Sequence, residues 1–235
     1  PELRKRGHDD VKQHPPIPND RLGETYTLIN NSGMDNVTKY ALFCLQYTAL
    51  RVNSLLASRW EDYDETKKLL RIHEEFVKNK KAINCPVIKQ MADMFNVLKK
   101  AQQLTNNKWD KKCFIFSTDG IEALGLESPN TALKRLLLKH QVGFRAVPHG
   151  FRNTCQTHWL LKRFMMTAIN VQLDHKLTSG DASVDRYISQ DEDFFDERTK
   201  MLQSMAKLIK DAMSDYALLE TTIKNAKSSS PIMAT

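Results

Sequence analysis

HGFRNTCQTHWLL, residues 149–161, is the stretch from which the rest of the chain is read. It sets an imidazole and a guanidinium one helical turn apart, at His149 and Arg152, followed by small, polar and apolar residues at helical spacing. Residues three apart on a helix share a face, so these two groups can reach one bound anion together. A guanidinium is a planar fork of donors that suits a phosphate, and an imidazole can donate to it or move a proton. The same pair also occurs on ordinary solvated helix faces. What lifts it here is the company of Arg51, Lys78, His175 and Tyr187 elsewhere in the chain.

With 235 residues the chain can bury a real core, as one large domain or two small ones. Lysine and arginine number 35 against 28 acids, a net charge of +7, which favours a polyanionic partner without deciding it. The basic residues cluster at Arg4-Lys5-Arg6, at Lys78, Lys80 and Lys81, at Lys108, Lys111 and Lys112, and at Lys134, Arg135 and Lys139. Clustering favours nucleic acid over a merely solvated surface. Cys44, Cys85, Cys113 and Cys155 are far apart and none lies in a CxxC pair, so buried reduced thiols are expected rather than zinc or disulfides. No apolar run is long enough to span a bilayer and no signal peptide is evident, which points to a cytoplasmic protein with no membrane partner.

Residues 1–22, basic and carrying Pro15, Pro16 and Pro18, read as a linker. Residues 36–57 read as strongly helical, with Val37, Tyr40, Ala41, Cys44, Leu45 and Thr48 on one face. Arg51 falls inside that apolar run, which places it either at a helix junction or partly buried. A charge there is expensive to bury unpaired, so it is either half of a structural salt bridge or part of an anion site. Residues 69–76 and 82–88 resemble a hairpin with Lys78, Asn79, Lys80 and Lys81 at its tip, which is either a solvated loop or a reach into a DNA groove. Residues 90–104 form a helix packed by Met91, Met94, Phe95 and Leu98; residues 113–116 form a short buried extended piece. Ser128 as N-cap and Pro129 at the first position open a helix through His140. An apolar helix over 165–173 ends at Asp174-His175, and taken alone His175 reads as a helix-end histidine. Residues 191–216 return to helix, and 221–235 read as a flexible tail. The expected fold class is mixed α+β, mostly α-helical, with a small antiparallel sheet; the domain proper runs over 23–220.

These residues, in this order, resemble the catalytic domain of the tyrosine recombinases, the phage-integrase family, across nearly all of residues 36–210. TALRVNSLLASRWEDYD is similar to the family's first-arginine box, and KNKKAINCPV to its hairpin-lysine segment, with Pro86 eight positions after Lys78. HGFRNTCQTHWLL resembles the HxxR box and LDH at 173–175 the second-histidine box, while Tyr187 in VDRYIS falls where the nucleophile belongs. FFDERTKMLQSMA is similar to the tail of integrases from P4-like prophages and integrative elements. Ala49 stands where the family usually has glycine, Ser54 where a glutamate often pairs the first arginine, and Asp174 where glycine precedes the second histidine. The loop between His175 and Tyr187 is slightly longer than usual.

The resemblance implies site-specific DNA recombination through a 3′-phosphotyrosyl intermediate, with Arg51, Lys78, His149, Arg152, His175 and Tyr187 as the catalytic set. It implies no metal, no ATP and no other cofactor. Its partners would be double-stranded DNA carrying a recombination site, further copies of the chain in a tetramer on that DNA, and accessory DNA-bending or directionality proteins. A DNA-binding protein that kept the fold and lost catalysis, and a type IB topoisomerase, are the alternatives the same residues allow.

Overall fold

The computed structural model describes residue 14 and residues 16–175 and 194–228. Helix α1 (Leu22–Asn31) forms where Leu22, Tyr26 and Ile29 recur at helical spacing, and all three are buried. Helix α2 (Asn36–Thr48) begins at Asp35, whose carboxylate accepts from the Thr38 N–H at 2.8 Å and so satisfies one of the helix's orphan donors. The helical stretch expected over 36–57 is two helices that meet at Arg51. Ala49 closes α2 in the left-handed region (φ 52°), Arg51 is extended, and α3 (Val52–Leu56) starts afresh.

The strands β1 (Tyr63–Asp64), β2 (Leu69–Ile72) and β3 (Ile83–Pro86) pair antiparallel in that order, with Leu69 opposite Pro86 and Ile72 opposite Ile83. Alternation sets the faces: Leu70, Ile72, Ile83 and Cys85 point into the core, whereas Arg71 and Asn84 point out. The strands are shorter than expected because Glu74–Phe76 turns into a 3-10 helix. Helix α4 (Lys89–Thr105) buries Met91, Phe95, Leu98 and Gln102. In α5 (Ser128–Lys139) the residue ahead of Ser128, Glu127, is already in helical conformation, so serine is the first helical residue rather than the cap.

Helix α6 (Pro148–Leu161) starts on a proline, whose missing N–H costs nothing at a helix start. Phe151, Cys155 and Trp159 form its inner face, each fully buried; burying a ring such as Phe151 stabilises by about 2 kcal/mol. Helix α7 (Met166–Gln172) follows. Helix α8 (Phe195–Ser228) packs Met201, Leu202, Met205 and Ile209 inward and runs past Tyr216 into the first residues of the stretch expected as a tail.

Packing centres on α2, which lies against α5, α6 and α8. Polar bonds tie these layers: Tyr26 Oη donates to Gln46 Oε1 at 2.5 Å, Gln46 Nε2 donates to Cys155 Sγ at 3.1 Å, and Trp159 Nε1 donates to the Met201 carbonyl at 2.9 Å. Helix α1 crosses α8 so closely that a Cβ on Gly23 would lie 2.1 Å from the Ala212 carbonyl oxygen, a gap only glycine fits. Ile17, inside the stretch read as a linker, is buried and donates its N–H to Thr154 Oγ1 at 2.9 Å, so this part of the chain lies on α6. The architecture is mostly helical with one small antiparallel sheet, as the sequence predicts. Among the described residues no helix is long and apolar enough to cross a membrane.

Candidate functional site

Arg51, His149, Arg152 and His175 line one cleft of about 220 Å³, together with Asn153, Gln156 and Leu173. Arg152 is its floor. The side chain projects from the inner face of α6, is 7% exposed, and donates from Nη2 to the Leu173 carbonyl at 2.6 Å and from Nη1 to the Ala49 carbonyl. Those carbonyls belong to the C-caps of α7 and α2. Helix C-termini leave carbonyls without partners and carry partial negative charge, so a buried cation there is partly compensated.

Arg51 enters from the break between α2 and α3, and its Nη1 pairs with the Asp174 carboxylate. His149 lies in the first turn of α6, exposed, with the His14 ring edge-on at 4.7 Å. His14 is held there by its own carbonyl, which accepts from Asn153 Nδ2 at 2.6 Å. His175 follows the last turn of α7, its N–H donating to the Asn170 carbonyl at 2.9 Å.

The cleft is electropositive, and its ionisable groups respond. Burial, and then the charge of Arg51, bring Arg152 down to about 10, which still leaves it protonated at neutral pH. Burial, then His14, Arg152 and Arg51, push His149 below the ordinary histidine value. His175 is lowered by burial and by the two arginines, with a smaller push from Lys78, and Asp174 partly opposes them. Both imidazoles are therefore mostly neutral at pH 7, while Arg152 stays charged. Such a site favours an anion, and a neutral imidazole beside it is free to accept a proton.

Lys78 does not line the cleft, but its segment is tied to it. The Lys78 N–H donates to Asp174 Oδ2 at 2.7 Å, the Asn79 N–H to Oδ1 at 3.3 Å, and Asn79 Nδ2 to the Asp174 carbonyl at 3.2 Å. The Lys78 side chain is exposed, and its charge is felt at His175. Tyr187 lies outside the described residues. Tyr216, the other tyrosine after the second-histidine box, is on α8, where its hydroxyl meets Glu220 Oε1 at 3.2 Å and its Cβ faces Gly23.

Two departures noted in the sequence explain one another. Ser54 spends its hydroxyl on the Phe76 carbonyl at 2.5 Å, and the carboxylate that meets Arg51 comes from Asp174 instead. Asp174 sits at φ 50°, a left-handed conformation that aspartate tolerates better than most residues. The sequence reading also missed Asn153 and Gln156. The signal was present: Gln156 is four residues after Arg152 and Asn153 four after His149, the same helical spacing that grouped the first pair. Away from the cleft, Lys134, Arg135 and Lys139 are exposed on α5, and Lys80 and Lys81 at the hairpin tip.

The sequence pattern of the phage integrase family matches residues 20–193. No curated protein matches the chain. Solved structures of similar fold include the integrase from mycobacterium phage Brujita, at 12% identity and a TM-score of 0.56, covering 85% of this chain and 64% of that one. The lambda integrase catalytic core aligns over 69% of this chain and 96% of its own at 16% identity, with a TM-score of 0.53. The Tn1549 transposon integrase, in complex with circular intermediate DNA, aligns over 83% of this chain and 68% of that one at 15% identity, with a TM-score of 0.58. The chain thus spans less than two thirds of the Brujita integrase and, at 62%, of the XerA recombinase.

Proposed function

This chain belongs to the phage integrase family, and from that premise we propose that it is a tyrosine site-specific recombinase that cuts and rejoins duplex DNA. The observation that carries the reading is the meeting of Arg51, His149, Arg152 and His175 round one cleft, from positions spread across the chain. Two guanidiniums and two imidazoles suit a phosphodiester that gains negative charge as it becomes pentacoordinate. The Tn1549 and lambda integrases have been solved on DNA, which supports DNA as the partner.

The phenol oxygen of Tyr187 attacks the scissile phosphorus, the phosphorus–O5′ bond breaks, and a 3′-phosphotyrosyl link forms. His149, neutral at pH 7, takes the phenolic proton; Lys78 gives a proton to the departing 5′-oxygen; His175 donates a hydrogen bond to a non-bridging oxygen. Attack by the 5′-hydroxyl of another strand reverses these transfers and reseals the backbone, so the covalent link conserves the bond without ATP. Arg51 and Arg152 clamp the charge that develops, each contributing roughly 3 kcal/mol, about a hundredfold in rate. In this reading residues 23–220 are the catalytic unit, the assembly on DNA is a tetramer aided by accessory bending or directionality proteins, and the setting is the cytoplasmic nucleoid.

The Ser54 and Asp174 departures are what favour a catalytically inactive DNA-binding protein. The pairing of Arg51 with Asp174 weighs against it, because the arginine keeps a carboxylate partner. The deciding experiment incubates the full-length protein with a pool of nicked suicide duplexes of randomised core sequence and resolves the products on a denaturing gel. Covalent protein–DNA adducts are expected from the wild type and none from Tyr187→Phe. A wild type that binds the pool without forming adducts supports the inactive reading; adducts that persist in Tyr187→Phe remove that residue from its role. Sequencing the captured strand names the target.

A further inference from the structure

We propose that Asp174 is a positioning residue that sets Arg51 and the Lys78 hairpin with a single carboxylate, so that the phosphate clamp and the proton donor are placed together. This rests on the recombinase reading above and adds a residue to it.

The geometry converges on one side chain. Asp174 is 6% exposed, and it receives Arg51 Nη1, the Lys78 N–H and the Asn79 N–H, while its own carbonyl takes Asn79 Nδ2. These partners come from the α2–α3 junction and from the tip of the β2–β3 hairpin, 123 and 96 positions away in sequence. The residue before it, Leu173, lends its carbonyl to Arg152, and the residue after it is His175. A nearly buried carboxylate with a charged partner and two backbone donors has little freedom to turn, so it fixes what it holds.

Asp174 is not among the residues that line the cleft, and it acts through its two clients. Its left-handed backbone makes glycine and asparagine gentle replacements, since both adopt that conformation readily. Asp174→Gly removes every side-chain bond, and Asp174→Asn keeps an acceptor while deleting the charge.

The test has a readout without chemistry and one with it. In the DNA-free full-length protein, amide hydrogen exchange at Lys78 and Asn79 is expected to speed up at least tenfold in Asp174→Gly, with exchange in α6 unchanged. Unchanged exchange at both amides overturns the latch. The second readout uses the duplex captured by the adduct experiment, made with either the ordinary 5′-oxygen or a 5′-sulfur at the scissile position. A thiolate departs without a proton, so only a fault in proton donation is relieved by sulfur. Single-turnover cleavage by Asp174→Asn is expected to fall at least tenfold on the oxygen substrate and clearly less on the sulfur one. In a Lys78→Ala background the same substitution should cost less than it does in the wild type. Equal losses on both substrates, or fully additive losses in the double variant, overturn its action through Lys78. If no duplex yields an adduct with the wild type, the recombinase reading falls, and the exchange measurement still decides whether the latch exists.

Discussion

Two buried polar side chains organise this molecule, and they do so in opposite ways. Gln102, fully buried on α4, receives Trp60 Nε1 at 2.7 Å and Trp109 Nε1 at 3.2 Å on Oε1, and gives Nε2 to the carbonyls of Phe114, Ile115 and Ser117. Every polar atom of that amide is occupied by protein. Arg152, nearly as buried, commits donors to two carbonyls and turns the rest of its guanidinium to a cleft it shares with a second arginine. The amide hub is saturated and closed, and its bonds fix where the Cys113–Phe116 piece lies against α4. The guanidinium hub is left with donor capacity and with like charge beside it. A structure built for stability alone has no use for that remainder, which is what marks the cleft as the place for an anion.

The difference can be broken by substitution. Gln102→Leu is expected to cost the most, roughly 4 kcal/mol of folding stability, because two indole donors and three carbonyls lose their partner inside the core. Urea titration would measure it, while cleavage per folded molecule should stay at the wild-type level. Arg152→Ala should do the reverse. Its cleavage rate falls by about a hundredfold or more, roughly 3 kcal/mol. Its stability falls by about 2 kcal/mol or less, because relief from burying a charge beside Arg51 offsets the two orphaned carbonyls. A large loss of stability in both variants, or of activity in both, would erase the distinction between the hubs.

The smallest expected effect is in pH. His149 acts as a base only when neutral, and its pKa is lowered, so the acid limb of the cleavage profile should have its midpoint below the ordinary value of about 6.5. Removing a neighbouring charge with Arg51→Gln should raise that pKa and move the midpoint upward, towards 6.5. A midpoint that stays put in this variant would detach His149 from the base role. The Gln102 hub holds no titrating group, so Gln102→Leu should leave the midpoint where it is.

Much of this was legible in the sequence, and the rest was hidden for physical reasons. His149 and Arg152 were readable because helical spacing fixes which residues share a face. Arg51 was readable because a charge inside an apolar run demands an explanation. The hairpin and α4 to α7 followed from periodicity and punctuation. A helix junction at Arg51 was one of the two readings the apolar run allowed, but its left-handed turn at Ala49 was not, since alanine gives no glycine signal. Helix α1 went unassigned beside a proline-rich stretch, although Leu22, Tyr26 and Ile29 carry the pattern. Asp174 registered only as a departure, because its partners lie 96 and 123 positions away and no local rule reaches so far. The same holds for Gln102, whose partners share no motif.

The bonds that assemble the cleft run from Arg152 back to Ala49 across 103 positions and from Asp174 back to Arg51 across 123. Neither closure is local, so the paired guanidiniums exist only after nearly the whole domain has collapsed around α2. A half-made or partly unfolded copy carries the same lysines and can still stick to a polyanion. It lacks the paired guanidiniums that the folded cleft presents.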